Sequence, residues 1–416
     1  MRGPPNAPPK QGREARGRAA HAVQYRSVVA DAGSVTVGTP RESFPRETRV
    51  ALTPSSVRSL RERNVEVVVE AGAGEPAGFP DAGYVEHGAR IVSGDEAFGA
   101  HLVVRVRLVG PAGDALDAER MRPGQVVVGL VDPLDSPAAS RAIAERGATL
   151  FALDLVPRIA RAQAMDVLSS QATVAGYRAA IIAAERLPKM FPMLITAAGN
   201  VPAARVLVVG AGVAGLHAIA TARRLGALVE AYDVRPAARE EVESLGARFV
   251  ELGLQPGDAE GAGGYAKSLD ESFYLRQQEL LARVAAGSDV VICAALIPGR
   301  PAPMLLTKDA LAGMAPGSVV VDAAAERGGN CELTRPGEEV VSDHGVTILG
   351  PTNLPAEIPH EASLMFARNA AAFLGLLLAG GTLAVDADDE IVRETLVARN
   401  GEVVHPKMRE REVVPS

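Results

Sequence analysis

The chain has 416 residues, of which 47% are hydrophobic and 22% are charged. This length suits two α/β domains, each with a sizeable core, better than one. The formal net charge of −7 leaves no basic face for nucleic acid, which excludes that class of partner.

The two ends of the chain carry no membrane or secretion signal that we can recognise. Residues 1–33 are rich in Pro, Gly, Arg and Ala without a sustained apolar period, so we expect a disordered tail. The apolar run at residues 370–379 is too short to span a bilayer, which takes about 20 residues. We expect a cytoplasmic chain with no direct membrane insertion.

Residues 34–168 are predicted to form a first α/β lobe. Thr53 followed by Pro54 is the pattern of a helix N-cap with proline at the first helical position. Between the predicted strands there is room for helices, which indicates a parallel sheet covered on its faces. The predicted strands are residues 35–38, 65–69, 89–92, 102–108, 126–131 and 149–153.

A polar segment at residues 157–169 leads into a long alanine-rich helix, predicted from about residue 170 to 186. Because this helix lies between two α/β lobes, we expect it to join them, with its polar N-terminal end facing the cleft. The same pattern is also typical of a capped, salt-bridged helix start with no ligand.

A glycine-rich turn near the middle of the chain is the strongest local motif. Residues 206–209 read as a buried strand, and Gly210, Gly212 and Gly215 follow in the pattern G-x-G-x-x-G before a helix. In a dinucleotide site, Gly210 would permit the tight turn, Gly212 the approach of the pyrophosphate, and Gly215 the close packing of helix and strand. The phosphates would lie on N–H groups at the helix N-terminus.

The strand predicted at residues 228–232 ends at Asp233, which completes a β-α-β unit. Asp233 is placed to accept hydrogen bonds from the adenosine ribose hydroxyls, and its charge disfavours a 2′-phosphate. We therefore predict NAD(H) rather than NADP(H). Arg235 argues mildly the other way, since an Arg at this strand end can pair with a 2′-phosphate.

The remainder of the second lobe is predicted over residues 169–355. A Gly-rich connection at residues 255–267 has the character of a lid, with Gly264 and Tyr265 at its tip. The strand predicted at residues 290–296 should place Ala295 and Leu296 over the cofactor, because open α/β sheets bind ligands at the carboxyl ends of their strands. Further strands are predicted at residues 319–322 and 346–349, and a helix at residues 361–379 returns the chain to the first lobe, which residues 356–416 complete.

Candidate metal ligands and nucleophiles are scarce in this sequence. Cys293 and Cys331 lack metal-ligand spacing and lie in apolar or Gly-rich contexts, so we expect buried thiols in a reducing compartment. The histidines have no Ser, Cys or metal partner at a suggestive spacing. We predict no metal site and no catalytic histidine.

Several motifs together resemble the NAD(H)-binding alpha subunit of proton-translocating NAD(P) transhydrogenases, which share a superfamily with alanine dehydrogenases. The most specific is P-R-I-x-R-A-Q-x-x-D-x-L-S-S at residues 157–170, followed by A-G-Y-R at residues 175–178. The resemblance spans about residue 35 to the C-terminus. Further matching segments are R-V-A-L-T-P at 49–54, T-A-A-G at 196–199, G-G-Y-A-K at 263–267, A-L-I-P-G-R-P-A-P at 295–303 and G-G-N-C at 328–331.

The resemblance implies roles for individual residues. Four polar residues of the 157–170 motif would contact and orient the nicotinamide end of NAD(H): Arg158, Gln163, Asp166 and Ser169. Gln163 would also reach toward NADP(H) on a partner, and an Asp166–Arg158 pair could set the geometry. The residues implied for the pyrophosphate and adenosine are Ala211, Gly212, Val213, Asp233, Val234 and Arg235.

The resemblance also implies an architecture and an assembly. The fold would be two Rossmann-like lobes with parallel sheets, joined by a long helix, with the cofactor in the cleft between them. NAD(H) would bind to this chain and NADP(H) to a partner subunit, with direct Re/Si-specific hydride transfer that needs no acid or base. Separate membrane-spanning partners would conduct protons and hold a homodimer of this chain peripheral to the inner membrane.

Two other functions stay open at this point. Alanine dehydrogenases share the fold, but they use a Lys and a His of the first lobe, and here residues 103–107 read V-V-R-V-R and residues 126–133 contain no His. The chain could also be a non-catalytic NAD-binding module.

Overall fold

A computed structural model describes residues 35–252, 271–297 and 299–413. The tail at residues 1–33, and Gly264 and Tyr265 of the predicted lid, lie outside the described residues.

The strands fall into two large sheets and two small hairpins. In chain order they are β1 (Thr36–Thr39), β2 (Glu66–Glu70), β3 (Arg90–Val92), β4 (Leu102–Arg107), β5 (Val126–Leu130), β6 (Thr149–Ala152), β7 (Leu194–Thr196), β8 (Gly199–Val201), β9 (Arg205–Val209), β10 (Leu228–Tyr232), β11 (Arg248–Phe249), β12 (Val290–Cys293), β13 (Val319–Asp322), β14 (Glu339–Val341), β15 (Thr347–Leu349), β16 (Leu378–Ala379), β17 (Thr382–Leu383), β18 (Leu396–Arg399) and β19 (Glu402–Val403).

The helices cover the faces of the two sheets, as expected for strands that are buried on both sides. In chain order they are α1 (Pro54–Arg61), α2 (Asp81–Glu86), α3 (Gly94–Phe98), α4 (Pro137–Glu145), α5 (Val167–Arg186), α6 (Val213–Arg224), α7 (Ala238–Ser244), α8 (Glu271–Ala285), α9 (Lys308–Ala312), α10 (Pro359–Leu377), α11 (Glu390–Thr395) and α12 (Pro406–Val413).

The first lobe is built on an eight-stranded sheet with the order β19-β18-β6-β5-β4-β1-β2-β3. The strands from β1 to β6 pair in parallel, as the sequence predicts, whereas β18 joins β6 antiparallel and β19 joins β18 antiparallel. This antiparallel edge was not predicted, because β18 and β19 are short and β18 lies far from its neighbour β6 in sequence.

The second lobe is built on a seven-stranded sheet with the order β11-β10-β9-β12-β13-β15-β14. All neighbours are parallel except the last pair, β15 and β14. The strand order reverses direction between β9 and β12, and such a switch point opens a crevice at the carboxyl ends of the strands.

Helix α5 connects the lobes and packs on both α6 of the second lobe and α10. It approaches α6 closely at Gly176, where an added Cβ would overlap the backbone of Ala214. The helix begins at Val167, about a turn before the predicted start, because Asp166 caps it. The fold class is therefore confirmed, while the division into lobes at residues 168 and 355 stays a prediction.

Other local predictions are also decided by the structure. Thr53 caps α1 and Pro54 is its first residue, as predicted. Cys293 and Cys331 are buried and unbridged, and burial raises the pKa of the Cys331 thiol to about 11, which keeps it protonated. The predicted strand at residues 290–296 ends at Cys293, which leaves Ala295 and Leu296 in the following loop.

No helix in the described part of the chain combines the length and apolar character needed to cross a membrane.

Candidate functional site

A cavity of about 600 Å³ lies between the two lobes, at the carboxyl ends of β9, β10 and β12. The second lobe contributes the glycine turn, the end of β10 and the loop after β12. The first lobe contributes the turn after β5, the segment after β6 and the start of α5. Most residues predicted for the site line this cavity: Arg158, Ser169, Gly210, Ala211, Gly212, Val213, Asp233, Val234, Arg235, Ala295 and Leu296.

The glycine turn has the geometry that a dinucleotide site requires. Gly210 has a left-handed backbone, with φ of 96°, at the point where β9 turns into α6. A Cβ on Gly212 would meet no atom within 4 Å among the described residues, so the backbone is open to the cavity there. Gly215 lies outside the cavity, where an added Cβ would overlap the Gly210 carbonyl.

Helix α6 presents its N-terminus to this opening. Its N-cap is Gly212, which offers no side chain to the first N–H groups. Arg223 and Arg224 in the last turn complement the negative end of the helix dipole, whereas the first turn holds no acidic residue and leaves the positive end uncompensated. The turn can therefore receive an anion such as a pyrophosphate.

The Asp233 carboxylate is buried and fully engaged by its own lobe. It accepts hydrogen bonds from the Ala211 N–H at 2.8 Å and from the Arg235 N–H at 2.8 Å. The Arg235 guanidinium folds back on it, with Nε at 2.9 Å and Nη2 at 3.0 Å. These bonds use the roughly four acceptor positions of a carboxylate, so ribose hydroxyls would have to share or displace Arg235.

On the first-lobe side, Ser169 at the start of α5 lines the cavity, and Asp166 lies beside it without lining the cavity. Asp166 accepts the Ser169 N–H at 2.9 Å and the Ser169 hydroxyl at 2.6 Å, so the carboxylate both caps the helix and fixes the hydroxyl. The geometry therefore joins Asp166 to Ser169, a pair that sequence reasoning did not predict.

Arg158 and Gln163 are exposed residues of the segment that precedes α5. Arg158 lines the cavity, whereas Gln163 and Asp166 do not. Gln163 lies in a short helical segment at Ala160–Met165 with an exposed side chain. Its amide is thus accessible to a ligand or to a partner molecule docked over the cleft.

Asp154 is a cavity residue that the sequence analysis did not single out. Its carboxylate accepts the N–H groups of Val131 at 2.7 Å and of Asp132 at 3.1 Å. Burial raises the pKa of the Asp154 carboxyl to about 6, and the nearby Asp132 carboxylate adds to the rise.

Gln277 of α8 is a second residue that sequence reasoning missed. It is buried, lines the cavity, and donates to the Tyr232 hydroxyl at 2.8 Å. Its Oε1 atom is buried without a hydrogen-bond partner among the described residues. Because this atom is shielded from solvent, a ligand in the cavity would reach it only after the side chain moves. Nothing local in the sequence marks this glutamine, which is one of two in the run Gln277-Gln278.

Strand β4 carries two arginines, Arg105 and Arg107, and no lysine. Arg105 is fully buried and binds Asp117 and Ser43. Arg107 pairs with Glu326 of the second lobe at 3.1 Å and rests on the Phe44 ring, 4.3 Å from its centroid. Both guanidinium groups are occupied by structural partners.

Within residues 35–252, 271–297 and 299–413, no group of three or more His, Cys, Asp and Glu side chains could hold a metal ion.

Comparison with protein families finds two matches that cover almost all of the described chain. Residues 38–175 match the model described as alanine dehydrogenase/PNT, N-terminal domain. Residues 179–406 match the model described as alanine dehydrogenase/PNT, C-terminal domain.

Individual relatives include transhydrogenases and alanine dehydrogenases. The chain is 43% identical to NAD(P) transhydrogenase subunit alpha of Cereibacter sphaeroides, over 89% of this chain and 71% of that protein. The solved structure of a transhydrogenase from Sinorhizobium meliloti superposes with a TM-score of 0.76 at 44% identity, covering 89% of this chain and 99% of that one. The alanine dehydrogenase of Bacillus subtilis is more distant, at 28% identity over 89% of this chain and 92% of that protein.

Proposed function

Because the chain belongs to the alanine dehydrogenase/PNT family, and is more similar to transhydrogenase alpha subunits than to the Bacillus subtilis alanine dehydrogenase, we propose that it is the NAD(H)-binding subunit of a proton-translocating transhydrogenase. Family membership confirms the resemblance that the motifs at residues 157–170 and 175–178 predicted. The proposed reaction is direct hydride transfer between NADH on this chain and NADP⁺ on a partner subunit.

The observation that carries this proposal is the composition of the inter-lobe cavity. One end has an open glycine turn and a helix N-terminus, which suit a pyrophosphate. The first-lobe side has Arg158 and the Ser169 hydroxyl, which Asp166 holds from outside the cavity, and these groups suit a neutral carboxamide. A dinucleotide is a ligand that offers both chemistries at once, and the residues present fit it.

The chain's own residues act by binding and orientation. The nicotinamide ring supplies the hydride chemistry when the dinucleotide is bound. Ser169, held by Asp166, offers a hydroxyl of fixed direction to the carboxamide, and the exposed Gln163 side chain can reach across the opening. Ala295 and Leu296 of the loop after β12 give the cavity an apolar wall on the side of the second lobe. Such positioning is the main requirement of a transfer that needs no acid or base.

The arrangement of Asp233 supports NAD(H) rather than NADP(H). Its carboxylate, at the end of β10, is an acceptor for ribose hydroxyls, and a 2′-phosphate would put a second acceptor against it in place of a donor. In the sequence, Arg235 was the one residue that favoured NADP(H). In the structure its guanidinium is paired with the Asp233 carboxylate.

The proposal includes partners and a location. NADP(H) would be held by a separate subunit that docks over the exposed Gln163 end of the cleft, and membrane-spanning subunits would couple transfer to proton movement. The chain would sit on the cytoplasmic face of the inner membrane through these partners and act as a homodimer. The name of the relative from Cereibacter sphaeroides, subunit alpha, supports an assembly of several subunits.

Alanine oxidation receives less support from the site. That reaction needs a general base, and a guanidinium group does not lose its proton at working pH. Arg105 and Arg107 are moreover held by Asp117 and Glu326. Residues 126–133 supply no histidine in their place.

The test mixes the purified chain with the soluble NADP(H)-binding domain of a related transhydrogenase, NADPH, and an NAD analogue with a distinct absorbance when reduced. We expect hydride transfer with the wild-type chain and a loss of about tenfold or more in Gln163→Asn, because a shorter amide misplaces the groups it orients. A fluorescence titration should show NADH bound at least about tenfold more tightly than NADPH, because a hydrogen bond from a ribose hydroxyl to a carboxylate contributes about 1.5 to 3 kcal/mol and a 2′-phosphate cannot donate it.

Gln278→Asn is the matched control, since it makes the same change on a side chain outside the cavity that bonds to the Met304 carbonyl. It should leave transfer unchanged. Alanine with NAD is assayed in parallel, and its oxidation without transfer would overturn the proposal. Tight NADH binding with no activity in either assay would leave a non-catalytic binding module.

A further inference from the structure

A cation of the second lobe reaches across the mouth of the cleft to the first lobe. Arg327 follows β13 and lines the cavity, and its guanidinium forms ion pairs with Asp132 and Asp135 of the turn after β5. We call these three residues the inter-lobe clasp. Beside it, Glu326 pairs with Arg107 of the first lobe at 3.1 Å.

The second-lobe side of the clasp rests on a tightly held loop. Asp322, at the end of β13, is completely buried and accepts the N–H of Asn330 at 2.7 Å and the hydroxyl of Thr334 at 2.6 Å. The Asn330 side chain donates to the Ala295 carbonyl at 2.9 Å, which ties the same loop to the cavity wall. Arg327 is therefore presented from a fixed position.

The first-lobe side is equally well defined. Asp154 accepts two consecutive N–H groups at the start of the turn, and the Asp132 carbonyl accepts the Ser136 N–H at 2.8 Å. Asp132 has a left-handed backbone with φ of 52°, which Asp tolerates better than most residues. The backbone of the turn that carries Asp132 and Asp135 is thus held by hydrogen bonds within the first lobe.

Because the clasp is partly buried, its ion pairs stabilise the contact between the lobes more than a fully exposed ion pair would. The side chains of Arg327, Asp132 and Asp135 are only 33%, 30% and 27% exposed. One guanidinium serves two carboxylates, an arrangement with charge-assisted hydrogen bonds in a partly desolvated setting. Separation of the lobes would break both pairs together, so the clasp opposes opening of the cleft.

We propose that Arg327 is a positioning residue that holds the cleft closed through Asp132 and Asp135 and thereby slows the release of the bound nucleotide. This inference rests on the proposed function for the identity of the nucleotide, NAD(H). The clasp acts on the width of the cleft, since its cation is already paired with carboxylates and carries no net attraction for phosphate.

The first experiment measures NADH release by stopped-flow fluorescence. Arg327→Gln should raise the dissociation rate constant about three- to tenfold, while Arg327→Lys recovers part of the effect because it keeps the charge. Arg335→Gln is the matched control, since Arg335 pairs on the surface of the same lobe, with Glu338 at 3.7 Å. A change of equal size in the control would overturn the proposal.

The two carboxylates decide between a clasp and direct attraction of the nucleotide. In the double variant Asp132→Asn with Asp135→Asn, Arg327 is left without its carboxylates. A clasp predicts faster NADH release, and no further acceleration when Arg327→Gln is added. Direct attraction of phosphate by the freed cation predicts slower release instead, and that result would contradict the proposal.

The distance between the lobes, measured without nucleotide, tests the clasp independently of the proposed function. Spin labels at Glu119→Cys in the first lobe and Asp309→Cys in the second report the lobe separation, because the natural cysteines are buried and the two labelled positions are exposed. Dilution with unlabelled chain removes distances between molecules. Arg327→Gln should shift the distribution of label distances to longer values or broaden it. If neither this distribution nor the rate of NADH release changed, the clasp would be refuted even if NADH binds as proposed.

Discussion

At the scale of single residues, Asp154 carries a carboxyl group whose pKa of about 6 lies close to working pH. Burial is the main cause, and the charge of Asp132 adds to it, while the N–H groups of Val131 and Asp132 favour the charged form. The folded chain therefore holds this proton more tightly than the unfolded chain, in which Asp has a pKa near 4. The folded state should gain stability from Asp154 as pH falls through 6, and lose it as pH rises.

Asp154→Asn removes this titration and keeps an oxygen that can accept both N–H groups. Between pH 7 and pH 5, we expect the wild-type free energy of unfolding to rise by about 1 kcal/mol relative to that of the variant. Urea denaturation at several pH values measures the difference. Asp343→Asn is the control, because Asp343 lies on an exposed turn and Asp154 is retained. Its free energy of unfolding should depend on pH as that of the wild type does. Parallel wild-type and Asp154→Asn curves would contradict this assignment.

At the scale of elements, the crossing of α5 and α6 sets the floor of the cavity. Gly176 of α5 contacts the backbone of Ala214, which lies in the first turn of α6 and lines the cavity. In Gly176→Ala the added methyl group has to push the helices apart. We expect a loss of roughly 2 to 3 kcal/mol in the free energy of unfolding and weaker NADH binding, because the α6 N-terminus moves.

Gly83→Ala is the matched control for that substitution. Gly83 also lies in a helix, α2, but an added Cβ would sit at an ordinary distance of 3.5 Å from the Pro54 side chain. We expect Gly83→Ala to leave the free energy of unfolding unchanged or to raise it by up to about 1 kcal/mol, because Ala has less conformational freedom than Gly in the unfolded chain. If chemical denaturation showed equal effects for both substitutions, close packing at Gly176 would not be the cause.

At the scale of the whole molecule, the β7–β8 hairpin supports the proposed homodimer. It leaves Met193 and Ile195 exposed at 64% and 77%, which is unusual for large apolar side chains beside each other on a monomer. Ile195→Asp should shift the chain toward the monomer, because a charge would have to be buried in the interface. Light scattering during gel filtration measures the mass.

Val85→Asp is the control for the dimer, since Val85 is an exposed apolar residue of the first lobe, at 57%. It should leave the mass unchanged. A wild-type chain that runs as a monomer at micromolar concentration would rule out a stable homodimer, and an equal shift in both variants would rule out the hairpin as its contact.

Much of this architecture follows from local sequence. The glycine turn was predictable because each requirement acts within a few residues: a left-handed φ at Gly210, an open backbone at Gly212 and close packing at Gly215. The parallel strands were predictable because burial on both faces demands continuous apolar runs. Helix caps such as Thr53 are equally local, although Asp166 moved the start of α5 by about a turn.

Only the tertiary structure decided which distant side chains meet. Arg327 lies about 190 residues from Asp132 and Asp135, and each reads as an ordinary surface charge in the sequence. The orphan acceptor at Gln277 Oε1 and the neutralisation of Arg235 by Asp233 likewise depend on three-dimensional packing. The physical reason is range: backbone preferences act over a few residues, whereas ion pairs and buried polar groups are determined by how the two sheets pack across α5.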